Sequence, residues 1–300
     1  NEILMTKLKD PGAERQPATV HLGLMIGVTS VSFAAVLIRL ADTAPLAVAT
    51  YRTAIAAIIL IPIALLINRK QLMLVNRATY SLIAGSALCL ALHFGFWIAS
   101  LDHTTVSSSV VIVTANPILV ALIAHFMIQE PVTKKTLMGI SLGLIGGVII
   151  GLGDWNFGGN RLYGDGLALL GALAVAGYYV IGRKLVPQLS LLVYLAPVYG
   201  VSALILLMAA TITATPLNGF SRETYVYMIL VAIIPQLIGH SSLNWSLRHL
   251  PATTVGIAVM AEPIGATVLA WLVLGEIPTA STIVGGVLIL AGVYQALKPN

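Results

Sequence analysis

Apolar stretches long enough to cross a bilayer follow one another along this chain, and they constrain its fold more than any other feature. A transmembrane helix needs about 20 consecutive apolar residues. Ten such stretches cover residues 20–38, 46–67, 78–99, 105–128, 136–152, 166–181, 191–213, 225–247, 252–274 and 280–297. Only 9% of the residues are charged, against about 25% in soluble proteins. The sequence therefore predicts an all-α polytopic membrane protein with ten transmembrane helices, embedded in a lipid bilayer.

The distribution of lysine and arginine predicts the orientation of these helices, because both residues concentrate in cytoplasmic loops. With the N-terminus inside, twelve of the sixteen basic residues fall on inside segments, three (Arg39, Arg161 and Arg222) fall outside, and Arg52 lies within the second stretch. We therefore expect both termini in the cytoplasm. The same bias accounts for the net charge of +5, so no nucleic-acid partner is needed to explain it.

The chain aligns with itself at an offset of 146 residues without a gap. Each unit holds five predicted helices, an odd number, so the second unit must cross the membrane upside down relative to the first. We expect five-helix repeats at residues 20–152 and 166–298, joined by an outside linker at 153–165. The matched positions include Asn116-Pro117 with Glu262-Pro263, Glu130 with Glu276, Gly139 with Gly285, and Gly146 with Gly292.

Glu262 interrupts the middle of the ninth apolar stretch and is followed by Pro263. A charged side chain at the bilayer centre costs about 2.5–3.5 kcal/mol on insertion scales. Proline removes a backbone donor, so the helix should bend or open here. Inverted repeats with interrupted helices are typical of secondary transporters, whose binding site lies at the repeat interface. Three roles fit Glu262: counter-ion for a substrate amine, proton-coupling site, or structural acid hydrogen-bonded to a neighbouring helix.

The interrupted helices also belong to a longer pattern of proline, apolar stretch, glutamate and glycine-rich helix. The first half reads Asn116-Pro117, Gln129-Glu130 and Gly139, and the second reads Glu262-Pro263, Gly275-Glu276 and Gly285. Across nearly the whole chain this resembles two EamA domains of the drug/metabolite transporter superfamily, and the size and polarity are similar to those of YddG-type amino-acid exporters. The resemblance implies a 5+5 inverted arrangement, a central cavity, and export of small metabolites across the bacterial inner membrane.

Polar residues on the eighth and third helices are candidates for the cavity wall. Gln236, His240 and Asn244 are spaced i, i+4 and i+8, which places them on one face of a helix. His93 and Trp97 share a face of the third helix in the same way. We expect both sets to bind substrate, with Trp97 as a stacking surface. The alternatives are interhelical hydrogen bonding for the stripe and an interfacial anchor for Trp97.

Arg52 and Tyr179 complete the expected substrate-binding residues. Arg52 is the one Lys or Arg within an expected span, and it can either bind a substrate carboxylate or snorkel towards the outside end of its helix. We expect Tyr179 to line the cavity. No cofactor or metal is expected, because the six histidines are spread over separate segments without metal-ligand spacing. The glycine-rich stretch 151–166 lacks the Gly-Lys-Ser/Thr ending of a phosphate loop.

These features predict a secondary transporter that exports small metabolites, amino acids above all, by alternating access between the repeats. A carrier of phosphorylated sugars would need several cavity cations to hold phosphate. Efflux of cationic compounds, with Glu262 as counter-ion, stays open, as does coupling to protons. An intramembrane enzyme or scaffold is disfavoured because Ser and His occur without any local signature of a nucleophile–base pair. A glycine stripe on the fifth helix indicates close helix contact, within the fold or between protomers, at Gly139, Gly143, Gly147 and Gly151.

Overall fold

A computed structural model describes residues 18–104, 106–153, 161–275, 277–278 and 280–298. These residues form α-helices with one π-helical segment and contain no β-strand. The helices are α1 (Ala18–Ser32), α2 (Ala34–Ala41), α3 (Pro45–Ile67), α4 (Arg69–Leu74), α5 (Arg77–Ser100), α6 (Val106–Thr114), α7 (Pro117–Ile128), α8 (Lys134–Gly153), α9 (Arg161–Leu185), α10 (Leu191–Ile212), α11 (Arg222–Val231), the π-helical segment Ala232–His240, α12 (Ser241–Ser246), α13 (Ala252–Val259), α14 (Glu262–Leu274) and α15 (Ala280–Leu297).

Within the described residues, nine helical stretches are long and apolar enough to cross a membrane. The fifth expected span lies in α8, which is not among those nine, so the number ten stays a prediction. The all-helical membrane fold itself is confirmed. Its outward surface is apolar, as lipid requires, with Leu66 85% and Ile58 70% exposed on α3. Small residues such as Ala56 on the same helix are fully buried, which lets neighbouring helices approach closely.

The fourth and ninth expected helices are each broken in the middle, as the sequence predicts. α6 ends at Thr114 and α7 begins at Pro117, while α13 ends at Val259 and α14 begins at Glu262. Irregular backbone at membrane depth is tolerated only where it is covered by protein or faces a cavity. The eighth helix departs from α-helical geometry in another way, because its central segment around Pro235 is π-helical.

The segment between the repeats differs from the expected linker. The helix α9 begins at Arg161, five residues before the expected start, and its first turn packs on the end of α5. Thr104 Oγ1 donates to Asp165 Oδ1 at 2.8 Å, and the rings of His103 and Tyr163 lie 5.0 Å apart. The high glycine content of this stretch indicated a loop, but tertiary contacts extend the helix into it. Residues 154–160 of the expected linker lie outside the described residues.

Two reciprocal glycine contacts relate the halves of the molecule by a two-fold axis. A Cβ added to Gly139 of α8 would lie 3.0 Å from the carbonyl oxygen of Gly292 of α15, and one added to Gly146 would collide with the carbonyl oxygen of Gly285. The offset of 146 exchanges these two pairs, which is the pattern of an isologous contact. At Gly139 the glycine stripe therefore makes a close contact within the fold. The second such contact comes from Gly146, beside the expected Gly147.

A polar cavity between the repeats

A small cavity lies where the broken helices meet, with walls from both repeats. Its polar lining comes from Arg52, His93, Trp97, Thr114 and Asn116 of the first repeat and Tyr179, His240 and Glu262 of the second. Small aliphatic side chains such as Val113 and Val259 complete the wall. The cavity volume is about 30 Å³. One water needs about 10–15 Å³ and drug-sized ligands occupy pockets of about 300–1,000 Å³, so the cavity in this form has room for about two waters and not for a drug-sized ligand.

Arg52 is fully inside the protein, with only 1% of its surface exposed, which rules out snorkelling. Its guanidinium carbon lies 3.7 Å from the centre of the Phe94 ring, a cation–π contact. Its Nε donates to Gln236 Oε1 at 3.0 Å. One terminal nitrogen of the guanidinium has no hydrogen-bond partner among the described residues. Phe94 and Gln236 thus hold the Arg52 side chain in place. Its unpaired terminal nitrogen is a free donor on a residue that lines the cavity.

Gln236 and Asn244 are buried, but unlike His240 they do not line the cavity. Gln236 contacts Arg52 from behind, and Asn244 Nδ2 donates to both Tyr178 Oη and the carbonyl oxygen of His240 at 2.6 Å. The expectation of one wetted stripe is therefore corrected. The physical reason is the π-helical segment, whose wider turn rotates side chains away from the i, i+4 alignment of an α-helix.

His93 and Trp97 form an aromatic wall. Their rings are stacked 5.8 Å apart with an interplanar angle of 3°. The Nδ1 atom of His93 is hydrogen-bonded to the carbonyl oxygen of Gly171 at 3.0 Å, which fixes the ring. Trp97 is only 3% exposed, which does not fit an interfacial anchor. Its indole Nε1 donor has no partner among the described residues.

The two helix breaks place a matched pair of polar residues in the cavity wall. Glu262 begins α14 and Asn116 immediately precedes α7, and both are buried. Sequence reasoning singled out Glu262 but placed neither Asn116 nor Thr114 among the substrate-binding residues. The signal for Asn116 was available, because the offset of 146 puts it in the position of Glu262 and both precede a proline.

Six buried polar atoms around this site have no hydrogen-bond partner among the described residues. Such an unsatisfied group costs about 1–3 kcal/mol, so a cluster of them is unusual in a site that is only structural. Four of the six belong to residues that line the cavity (Arg52, Trp97, Asn116 and His240). These four include donors and an acceptor, so the site can offer partners to both ends of a polar ligand. The six atoms are a terminal nitrogen of Arg52, Trp97 Nε1, Asn116 Oδ1, Gln236 Nε2, His240 Nδ1 and Asn244 Oδ1.

A second polar cluster, formed by Glu130, Arg183 and Arg248, joins the loops at one end of the helices. Glu130 Oε1 accepts a hydrogen bond from Arg183 Nε at 2.7 Å, and its Oε2 accepts one from the backbone N–H of Ala252 at 3.1 Å. The Glu130 and Arg183 side chains are 15% and 18% exposed. Glu130 belongs to the first repeat and its partners belong to the second. The contact therefore holds the two repeats together at this end.

The rest of the Glu130 cluster is bonded to backbone oxygens. Arg183 donates to the carbonyl of Leu247 at 2.8 Å, and Arg248 donates to the carbonyl of Val186 at 3.0 Å. Burial, together with the charges of Arg248 and Arg183, lowers the pKa of the neighbouring His249. This histidine therefore adds no positive charge near neutral pH. Among the described residues no three metal-binding side chains converge, here or in the cavity.

Membrane-spanning helices in two halves related by reciprocal contacts, with a polar cavity between them, have the architecture of a membrane transporter. The chain belongs to the EamA-like transporter family, whose model matches residues 18–152 and again residues 162–297. This confirms the resemblance to two EamA domains, while the similarity to YddG-type amino-acid exporters stays a prediction. Membership of a transporter family also agrees with the expectation that the protein is not an enzyme.

Several similar proteins are described as uncharacterized transporters. One from Clostridium kluyveri is 27% identical over 79% of this chain and 78% of its own length. YdfC and YoaV of Bacillus subtilis are 23% and 25% identical over 92% and 91% of this chain, and 90% and 96% of their own lengths. A crystal structure with 17% sequence identity matches with a TM-score of 0.76, over 94% of this chain and 97% of that one. At that identity the likeness concerns the fold alone.

Proposed function

We propose that this transporter exports small zwitterionic metabolites, amino acids above all and aromatic and apolar ones included, by alternating access between its repeats. The observation that carries the proposal is the cavity at the helix breaks, where one buried arginine and one buried glutamate line the same wall. A zwitterion brings one charge of each sign and leaves neither buried charge unpaired. Burying an unpaired charge is costly, so this match favours amino acids over singly charged ligands.

The two poles of an amino acid have partners of matching chemistry in the cavity. The free terminal nitrogen of Arg52 and the indole N–H of Trp97 are donors for a carboxylate. Glu262 is an acceptor for an ammonium group. The stacked His93 and Trp97 rings offer a flat surface to an apolar or aromatic side chain. A permanent cation would meet Arg52 in the same space, which disfavours the cationic-compound efflux that Glu262 alone would suggest.

The contracted cavity and the Glu130 cluster together support a form closed towards one side. The transporter would lie in the inner membrane of a bacterium with both termini inside. The distribution of lysine and arginine supports this orientation, in which Glu130, Arg183 and Arg248 lie at the cytoplasmic ends of their helices. Since Glu130 bonds across the repeats, these bonds would have to break before substrate can enter from the cytoplasm. Binding therefore requires the cavity to widen and the cluster to separate.

The test is transport by the purified protein in liposomes, using a panel of labelled amino acids with and without a pH gradient. We expect transport of apolar or aromatic amino acids by the wild type and a loss of about 10- to 100-fold in Glu262→Gln, because hydrogen bonds to charged groups contribute about 1.5–3 kcal/mol. The matched control is Glu223→Gln, which makes the same change in α11, outside the cavity lining.

The gradient and the variant together separate the three roles of Glu262. If the gradient accelerates wild-type transport and not that of Glu262→Gln, this residue couples transport to protons. If neither protein responds to the gradient and the variant loses transport, Glu262 serves as the counter-ion of the substrate amine; if the variant transports as the wild type does, Glu262 is a structural acid. Transport of no amino acid in the panel, with transport of a quaternary amine instead, would overturn the proposal in favour of cationic efflux.

A further inference from the structure

The side-chain amide of Asn116 is buried, and only one of its two polar atoms has a hydrogen-bond partner in the described part of the chain. It is only 2% exposed and lines the cavity between α6 and α7. Its Nδ2 donates to the carbonyl oxygen of Val113 at 3.0 Å, which fixes the orientation of the amide. Its Oδ1 has no hydrogen-bond partner among the described residues. This cavity-lining side chain therefore carries a fixed, buried acceptor that has no donor from the part of the chain that the structure describes.

The neighbouring helix packs against this acceptor without donating a hydrogen bond to it. Gly256 of α13 stands opposite, and a Cβ there would lie 3.3 Å from Asn116 Oδ1 and 3.6 Å from the Pro117 Cα. Because Gly256 has no side chain, α13 approaches closely without supplying a donor to the amide oxygen. A buried acceptor without a donor costs about 1–3 kcal/mol. A ligand that brings an N–H group would recover that free energy.

The equivalent position in the second repeat shows how Asn116 affects the charge of the cavity wall. Asn116 and Glu262 occupy equivalent positions of the two repeats, and both line the cavity. With a carboxylate at both positions and the single Arg52, the wall would carry a net charge of −1. With asparagine at one of them, the charges of Arg52 and Glu262 cancel. The amide thus keeps the hydrogen-bonding capacity of a carboxylate oxygen and omits its charge.

We infer that Asn116 is a substrate-binding residue that accepts a hydrogen bond from the substrate ammonium, and that its neutral amide makes the site select zwitterions over monocations. This rests on the transport function proposed above. Glu262 carries the charge, but the neutral Asn116 at the equivalent position of the first repeat then determines whether the substrate is a zwitterion or a monocation. Replacing the amide by a carboxylate of the same shape should change that preference.

The experiment measures Kd by calorimetry on the purified full-length protein for phenylalanine and for phenylalaninamide, a monocation with the same side chain. If another amino acid is transported fastest in the liposome panel, that amino acid and its carboxamide replace the pair. We expect the wild type to prefer the amino acid. Asn116→Asp should shift the ratio of the two Kd values towards the carboxamide by about tenfold or more, as close charge pairs in binding sites do. Asn218→Asp adds the same charge at an exposed position outside the cavity and should leave the ratio unchanged.

A second variant keeps the inference testable if Asn116→Asp does not fold. Asn116→Ala should raise the Kd for phenylalanine by about tenfold. The Kd for hydrocinnamate, which lacks the amine, should stay unchanged, because the lost hydrogen bond involves only the ammonium. An unchanged preference in Asn116→Asp, or equal weakening of both ligands in Asn116→Ala, would overturn the role of Asn116. Failure of the wild type to bind any amino acid would instead overturn the proposed function.

Discussion

Two polar clusters join the repeats, and they differ in how completely their polar atoms are bonded. In the Glu130 cluster both carboxylate oxygens accept hydrogen bonds, one from Arg183 and one from the Ala252 backbone. In the cavity, Arg52 and Asn116 each keep a buried atom without a partner among the described residues. A fully satisfied polar network stabilises one arrangement of a protein. A network with unsatisfied polar atoms costs free energy until a ligand completes it. We therefore propose that the Glu130 cluster holds the two repeats together and that the cavity binds the substrate.

The largest effect that separates the two clusters should come from Arg52→Gln. This change removes the one buried guanidinium of the cavity wall, which we propose as the partner of the substrate carboxylate. We expect kcat/KM for amino-acid transport in liposomes to fall about 100-fold, because charge-assisted hydrogen bonds contribute about 1.5–3 kcal/mol each. Arg222→Gln, at the beginning of α11, is the control. Transport within threefold of wild type would remove Arg52 from the binding site.

Breaking the Glu130 cluster should chiefly reduce stability. In Arg183→Gln the carboxylate of Glu130 loses its ionic partner while still partly buried, and we expect a loss of about 3 kcal/mol in the free energy of unfolding. Thermal unfolding in detergent measures this as a lower Tm. Glu130→Gln should cost a similar amount, and the double variant should cost much less than the sum of the two. Additive losses would mean that the two side chains do not act together.

The two-fold axis offers a smaller effect that touches neither cluster. Gly146→Ala places a methyl group against the carbonyl oxygen of Gly285, and overpacking of this kind costs about 1–3 kcal/mol. Gly166→Ala is the matched control, since nothing lies within 4 Å of a Cβ at that position. We expect a lower Tm for the first variant and an equal or higher Tm for the second. Equal Tm values would argue against close contact of α8 and α15.

The smallest effect should come from two adjacent tyrosines on α9. Tyr178 Oη accepts a hydrogen bond from Asn244 behind the cavity wall, whereas Tyr179 lines the cavity itself. Tyr178→Phe should lower the free energy of unfolding by about 1 kcal/mol, the usual net value of one hydrogen bond. Tyr179→Phe should leave Tm unchanged and alter Kd for amino acids. If Tyr178→Phe altered Kd and Tyr179→Phe lowered Tm instead, Tyr178 and not Tyr179 would line the binding cavity.

The parts of the fold that follow from one-dimensional patterns were predictable from the sequence. Span-length apolar runs predict the membrane helices, and the repeat offset predicts the breaks at Asn116-Pro117 and Glu262-Pro263. The extension of α9 to Arg161 was not predictable, because Asp165 and Tyr163 make their contacts with Thr104 and His103 in the loop after α5. Contacts between distant segments leave no periodic signal in the sequence.

The candidate site was predictable to the extent that the eighth helix keeps α-helical geometry. Arg52, His93, Trp97, Tyr179, His240 and Glu262 all line the cavity, and their role in substrate binding stays a prediction. Gln236 and Asn244 do not, because the π-helical segment changes the register that the i, i+4 argument assumes. The partner of Glu130 was also missed, since no local pattern connects it with Arg183, which lies 53 residues further along the chain.

The central claim is that the cavity binds the substrate and the Glu130 cluster holds the repeats together. The most direct test measures substrate affinity and thermal stability on the same two variants. Kd for a transported amino acid and Tm would be determined for purified Arg52→Gln and Arg183→Gln beside the wild type. The account predicts a crossed result, in which Kd rises far more in Arg52→Gln than in Arg183→Gln, whereas the folded Arg183→Gln protein keeps the Kd of the wild type in spite of its lower Tm. If both variants lost both properties in the same proportion, the two clusters would form one structural network and the cavity would have no separate claim to be the binding site.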